Sequence, residues 1–124
     1  MVAKNCEMPS SFQVGGQTLN VSYVDHLPYD KLGICSVCCG TVNIAKHISD
    51  GRSQSPSCMM NTFWHEVVHA ILDTMSESEL SENEKFVCTF SSFLCEAIKS
   101  FKYDKNERQK TFGNNTECRD CSNS

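Results

Sequence analysis

At 124 residues the chain is long enough for one domain that buries its own apolar core. Its 11 Lys and Arg against 15 Asp and Glu give a net charge of −4, which leaves no basic footprint for a nucleic acid. No apolar run approaches the length of a membrane span, and residues 1–7 lack the form of a signal peptide, so a soluble, cytoplasmic protein is expected.

The first structural signal is a pair of alternating runs. Phe12 and Val14 alternate with polar residues before Gly15 and Gly16, and Leu19, Val21 and Tyr23 do so after them. Two such runs around a Gly-Gly pair predict a β-hairpin. Residues 26–33 read as a connector punctuated by Pro28 and Gly33. A cysteine-rich stretch with Cys35, Cys38 and Cys39 follows. In Thr41, Val42, Asn43, Ile44, Ala45 and Lys46 the apolar residues alternate again, which predicts a short third strand. Residues 47–57 are a polar loop whose last serines can cap a following helix.

That helix is expected over residues 58–75. On a helical wheel Phe63, Trp64, Val67, Val68, Ile71, Leu72 and Met75 form a wide apolar arc. Thr62, His65, Glu66, His69 and Asp73 share the narrow polar sector that remains. Residues 76–84 break the pattern. Ser81 with Glu84 has the spacing of a capping box for a second helix, which carries Phe86, Val87, Phe90, Phe93, Leu94, Ala97, Ile98 and Phe101 on one broad stripe. Residues 103–124 are polar and are expected to be a mobile tail beyond a single domain of residues 1–102. The fold expected is α+β, a three-stranded antiparallel or mixed sheet packed on two long helices.

His65, Glu66 and His69 spell His-Glu-x-x-His, and the helix gives that spacing a chemistry. Imidazoles four residues apart lie one turn above each other and can reach one metal ion. A Glu beside the first His lies near the open coordination position, where it can take a proton from water. A buried helix whose histidines only hydrogen-bond to neighbours would show the same five-residue motif, but a polar strip set in so wide an apolar arc needs partners, which a metal and a water-filled cleft would supply. A catalytic zinc site needs a third protein ligand. Asp73 is two turns from His65, about 12 Å along the axis, so it is left the role of orienting His69 or a neighbouring acid. Glu77, Glu79, Glu82 and Glu84 remain as ligand candidates. Glu84 lies at the edge of the second helix's stripe, in line with Cys88, Ser91 and Cys95, although the capping box would occupy it without any metal.

Taken together, His65-Glu66-Val67-Val68-His69-Ala70 on one helix and Asn83-Glu84-Lys85-Phe86-Val87 opening the next resemble the minigluzincins. These are small metallopeptidases similar to the phage- and mobile-element-encoded ImmA/IrrE type. The resemblance covers residues 10–102, including the Gly-Gly hairpin, Leu32-Gly33 and the strand of residues 41–46. It implies a zincin-like fold with zinc held by His65, His69 and Glu84, Glu66 as general base, and hydrolysis of a peptide bond. It further implies a protein or peptide substrate lying along residues 41–46. A catalytically silent zinc protein that docks a regulatory partner in the cleft is the alternative, and the intact Glu66 argues against it. His26, Tyr29, His47 and Tyr103 are the candidates for stabilising an oxyanion, each equally readable as a surface or packing residue.

Nine cysteines are a high and odd number. With no export signal, reduced thiols are expected rather than a disulfide framework. Cys58, Cys88 and Cys95 fall in helical patterns and read as small apolar fillers. Cys35/Cys38 and Cys118/Cys121 have the spacing of a zinc knuckle, although a long stretch of chain separates the two pairs.

Overall fold

The computed structural model describes residues 8–104. Four strands precede three helices: β1 (Ser11–Val14), β2 (Gln17–Val24), β3 (Gly33–Ser36), β4 (Thr41–Ala45), α1 (Pro56–Thr74), α2 (Ser78–Glu82) and α3 (Glu84–Lys99). The class is α+β, but the sheet has four strands where three were expected. Its order is β1-β2-β4-β3, with β2 and β4 parallel and the other two pairs antiparallel. The additional strand is β3. All four of its residues are half-buried, so it carries no alternation that would reveal it in the sequence.

The β1–β2 hairpin turns on Gly15 and Gly16, whose φ angles of 60° and 79° are the left-handed values a two-residue primed turn requires. β4 lies inside the sheet. Residues Thr41–Ala45 pair with Asn20–Val24 on one side, and Thr41–Ile44 pair with Ser36–Gly33 on the other. The expectation that a substrate pairs with residues 41–46 therefore fails, because both hydrogen-bonding edges of that strand are taken. The sheet's outer edge on this side is β3.

α1 begins two residues earlier than expected. Pro56 occupies its first turn, and Ser55 caps it by accepting from the Cys58 N–H at 3.2 Å. Its end is a Schellman motif. Ser76 has φ 65°, the Glu77 N–H donates to Leu72 C=O at 2.8 Å, and the Ser76 N–H donates to Asp73 C=O at 3.1 Å. That reversal starts the chain back along α1.

The return path is broken where one helix was expected to start. Ser81 lies inside α2, so it does not cap α3. The cap is Asn83, whose Oδ1 accepts from the Phe86 N–H at 3.1 Å. Asn, like Ser, is a strong N-cap, and its position directly before α3 wins over the Ser81–Glu84 spacing.

α1 is held on two sides. Leu19, Val21, Val42 and Ile44 from the sheet close over Phe63, Val67 and Ala70. On another side Val68 and Leu72 pack with Val87 of α3, flanked by Phe86 and Leu94. Each such aliphatic side chain contributes about 1.5–3 kcal/mol on burial. The sector left between sheet and α3 is the polar one with His65, Glu66 and His69. α3 itself buries Val87, Ser91 and Cys95, but Phe90 and Phe93 of its expected inward stripe are 48% and 66% exposed. The apolar surface of α3 is thus two faces, one packed on α1 and one turned outward. Tyr103 and Asp104 are exposed, and the rest of the expected tail, with Cys118 and Cys121, lies outside the described residues.

Candidate metal centre

His65 and His69 project from one face of α1 toward the first turn of α3, which is what their four-residue spacing requires. Their Nε2 atoms are 3.2 Å apart. Glu84, the first residue of α3, places Oε1 3.1 Å from His65 Nε2 and Oε2 3.3 Å from His69 Nε2. Among the described residues this is the group of His, Cys, Asp and Glu side chains close enough to hold a metal ion. Donors bonded tetrahedrally to one zinc at about 2.0–2.1 Å would be separated by about 3.3 Å. Each imidazole nitrogen has one carboxylate oxygen at about that distance, and one donor atom from each of the three residues lies within 4.8 Å of the others. Two imidazole nitrogens and a carboxylate aimed at one point are three electron-pair donors, a set that suits a divalent cation.

Comparison with known proteins assigns no family. No family model, no curated protein and no solved structure matches the chain. What the site can do is therefore read from its own atoms.

The outer ring nitrogens are also engaged. Ser81 Oγ lies 3.0 Å from His69 Nδ1. In the tautomer whose Nδ1–H donates to that oxygen, Nε2 carries its lone pair toward Glu84, so a buried serine orients the ligand. Asp73 was expected to orient His69 or a neighbouring acid, and its charge does act on Glu66. It is exposed in the cleft wall, and the partner of His69 is Ser81. Cys88 Sγ is 3.7 Å from His65 Nδ1. It is exposed and lines the cleft, not the core, and Cys58 is exposed as well. Of the three helical cysteines expected to be fillers, Cys95 is the buried one. Sequence reasoning did not single out Ser81 or Cys88 as partners of the histidines. Cys88 did carry a usable signal, since one helical turn separates it from Glu84.

Glu66 is buried, with 5% of its surface exposed, yet it lines the same cleft as the histidines. Burial, and then the charge of Glu84, push its carboxyl from 4.5 up to about 7, against a smaller opposing pull from Lys31. A carboxyl poised there can accept a proton and return it near neutral pH. His65 is held below its ordinary value, first by burial and then by His69, with Glu84 acting in the other direction.

The cleft has a volume of about 910 Å³ and is bounded by β3 and the residues before it, by α1, and by α2 and α3. β3 runs hard against the site. A Cβ on Gly33 would lie 2.8 Å from Glu66 Oε2 and 2.8 Å from Thr62 Cγ2, so the close approach of strand to helix requires a glycine here. Glu84 closes the opposite wall and is two-thirds exposed, which leaves the converging donors open to solvent. None of His26, Tyr29, His47 and Tyr103 lines the cleft. His26 and His47 stack on each other with ring centroids 5.4 Å apart, while Tyr29 and Tyr103 are 91% and 69% exposed. No helix among the described residues is long and apolar enough to cross a membrane.

Proposed function

We propose that this chain is a zinc-dependent peptidase of the gluzincin kind, its fold a small zincin-like one. The observation that carries the reading is the convergence of His65 Nε2, His69 Nε2 and the Glu84 carboxylate at 3.1–3.3 Å, with the buried Glu66 carboxyl in the same cleft. His65, His69 and Glu84 would hold the ion. A bound zinc supplies Lewis acidity toward a water molecule and toward the scissile carbonyl.

The remaining work falls to this chain's own side chains. Glu66 accepts the proton of the attacking water and passes it to the leaving amine, a transfer its burial favours. Ser81 holds His69 in its ligating tautomer. The substrate is an extended peptide that adds to the outer edge of β3, since β4 has no free edge. Gly33 brings that strand within van der Waals range of Glu66, which sets a bound peptide's carbonyl beside the base.

The test joins metal content to turnover. Elemental analysis of the purified chain should find one zinc, and His69→Ala should lose it. Glu66→Gln should keep zinc and fold but lose hydrolysis of a casein substrate by several orders of magnitude. Zinc retained at full stoichiometry in His69→Ala, or undiminished hydrolysis by Glu66→Gln, would overturn the assignment.

A further inference from the structure

The outward face of α3 has the form of a helix-pairing seam. Phe86, Phe90, Phe93 and Ala97 recur at spacings of four, three and four residues, the interval that keeps one stripe of a helix against another helix, with half-buried Phe86 joining the stripe to the α1–α3 core. Phe86 and Phe90 stack at 5.6 Å with an interplanar angle of 11°, so the stripe is already ordered within its own helix. Phe90, Phe93, Phe101 and Tyr103 are 48%, 66%, 56% and 69% exposed. Phe90 and Phe93, the two on the helix face itself, leave roughly 200 Å² of aromatic surface in water, and Phe101 and Tyr103 follow beyond the end of α3. Exposed aromatic rings gathered on one helix face mark an interaction surface.

We propose that this stripe is covered by the same stripe of a second copy of the chain, the two α3 helices packing antiparallel across a two-fold axis between Ser91 and Ser92. The register follows from the sequence of the face. About that axis Phe86 of one copy lies opposite Ala97 of the other, and Phe90 opposite Phe93, so the large residue at each end meets the small one. Charge agrees with the same register. Lys85 and Glu96 flank the stripe on one side, both are exposed, and neither forms an ion pair among the described residues. An antiparallel copy brings the Lys85 flank of one helix alongside the Glu96 flank of the other. The offset is two residues, about 3 Å along the axis, within reach of both side chains, and the two-fold makes the pair twice. In a parallel pair the same flanks of the two helices fall on opposite sides of the seam, so Lys85 and Glu96 would not meet.

The chain's own C-terminal end is a poorer candidate for this face. Residues 105–124 contain one large apolar residue, Phe112. The cleft stays open in this arrangement, because Glu84, Cys88 and Ser91 lie on a different sector of α3 from Phe86, Phe90 and Phe93.

Sedimentation velocity on the full chain, at tens of micromolar and with reductant, tests this directly. The expected result is a dimer that Phe93→Asp converts to monomer with an unchanged circular-dichroism spectrum; Phe93 is two-thirds exposed, so the fold does not depend on it. Lys85→Glu and Glu96→Lys should each weaken the dimer by roughly tenfold, since each replaces two attractive pairs with repulsive ones. Combining them should restore it. A monomeric wild-type chain, or a dimer indifferent to Phe93→Asp, overturns the proposal. Charge reversals that fail to rescue each other overturn the antiparallel register.

Discussion

Replacing Gly33 with Ala probes the contact on which the cleft is built. The new methyl carbon would lie 2.8 Å from Glu66 Oε2, 2.8 Å from Thr62 Cγ2 and 3.0 Å from Glu66 Cγ, where ordinary contact begins at 3.4 Å. Relief requires a movement of about 0.6 Å, taken up by the strand, the helix or the glutamate. β3 cannot simply peel away, because Gly33 is in register with Ile44 of β4, and Ile44 is fully buried. Overpacking of this kind costs about 1–3 kcal/mol. Misplacing a reacting group by up to ~1 Å costs on the order of a hundredfold in rate. The clash falls on Glu66 and not on His65, His69 or Glu84, so the metal should stay. Urea unfolding of Gly33→Ala should thus show a loss of about 1–3 kcal/mol. Elemental analysis should still find one zinc, and casein hydrolysis should fall by roughly a hundredfold. Wild-type stability and wild-type turnover together would refute the argument that β3 is pressed against the general base. Loss of zinc with turnover per bound metal unchanged would also refute it, since the strand would then support the ligands instead.

Three further outcomes follow from the same geometry. Ser81→Ala removes the partner of His69 Nδ1 and should weaken zinc affinity by about 10–100-fold in a chelator competition, with little change for Glu82→Ala beside it. Asn83→Ala removes the α3 cap and should cost about 0.5–2 kcal/mol in urea unfolding. It should also weaken zinc binding, because the freed turn carries Glu84. The Cys35 thiol is pushed up to about 12 by burial first and then by the nearby Glu66 and Asp73. At pH 8 it is therefore in its protonated form, and iodoacetamide mapped by mass spectrometry should label the exposed Cys38 and Cys39 well before Cys35.

The features legible in the sequence were those whose cause lies within a few residues. A four-residue interval on a helix puts His65 and His69 on one face whatever surrounds them, and the apolar arc around them is a property of α1 alone. Gly15 and Gly16 announce a primed turn because nearly all other residues resist positive φ at both positions. The Ser55 cap is equally local. Tertiary structure decided the rest. β3 is a strand because β4 offers it an edge, and four half-buried residues carry no period of their own. β4, the strand that looked available to a substrate, lost both edges to neighbours from different parts of the chain. Ser81 had the spacing of a cap, yet the Schellman turn at Ser76 swings α2 so that this hydroxyl meets a histidine twelve residues earlier. Cys88 meets His65 across 23 residues by the same reversal. The outward half of the α3 stripe was invisible for a related reason. Hydrophobic periodicity shows which side of a helix is apolar, whereas the number of neighbours available to cover it depends on how many elements the fold can bring alongside.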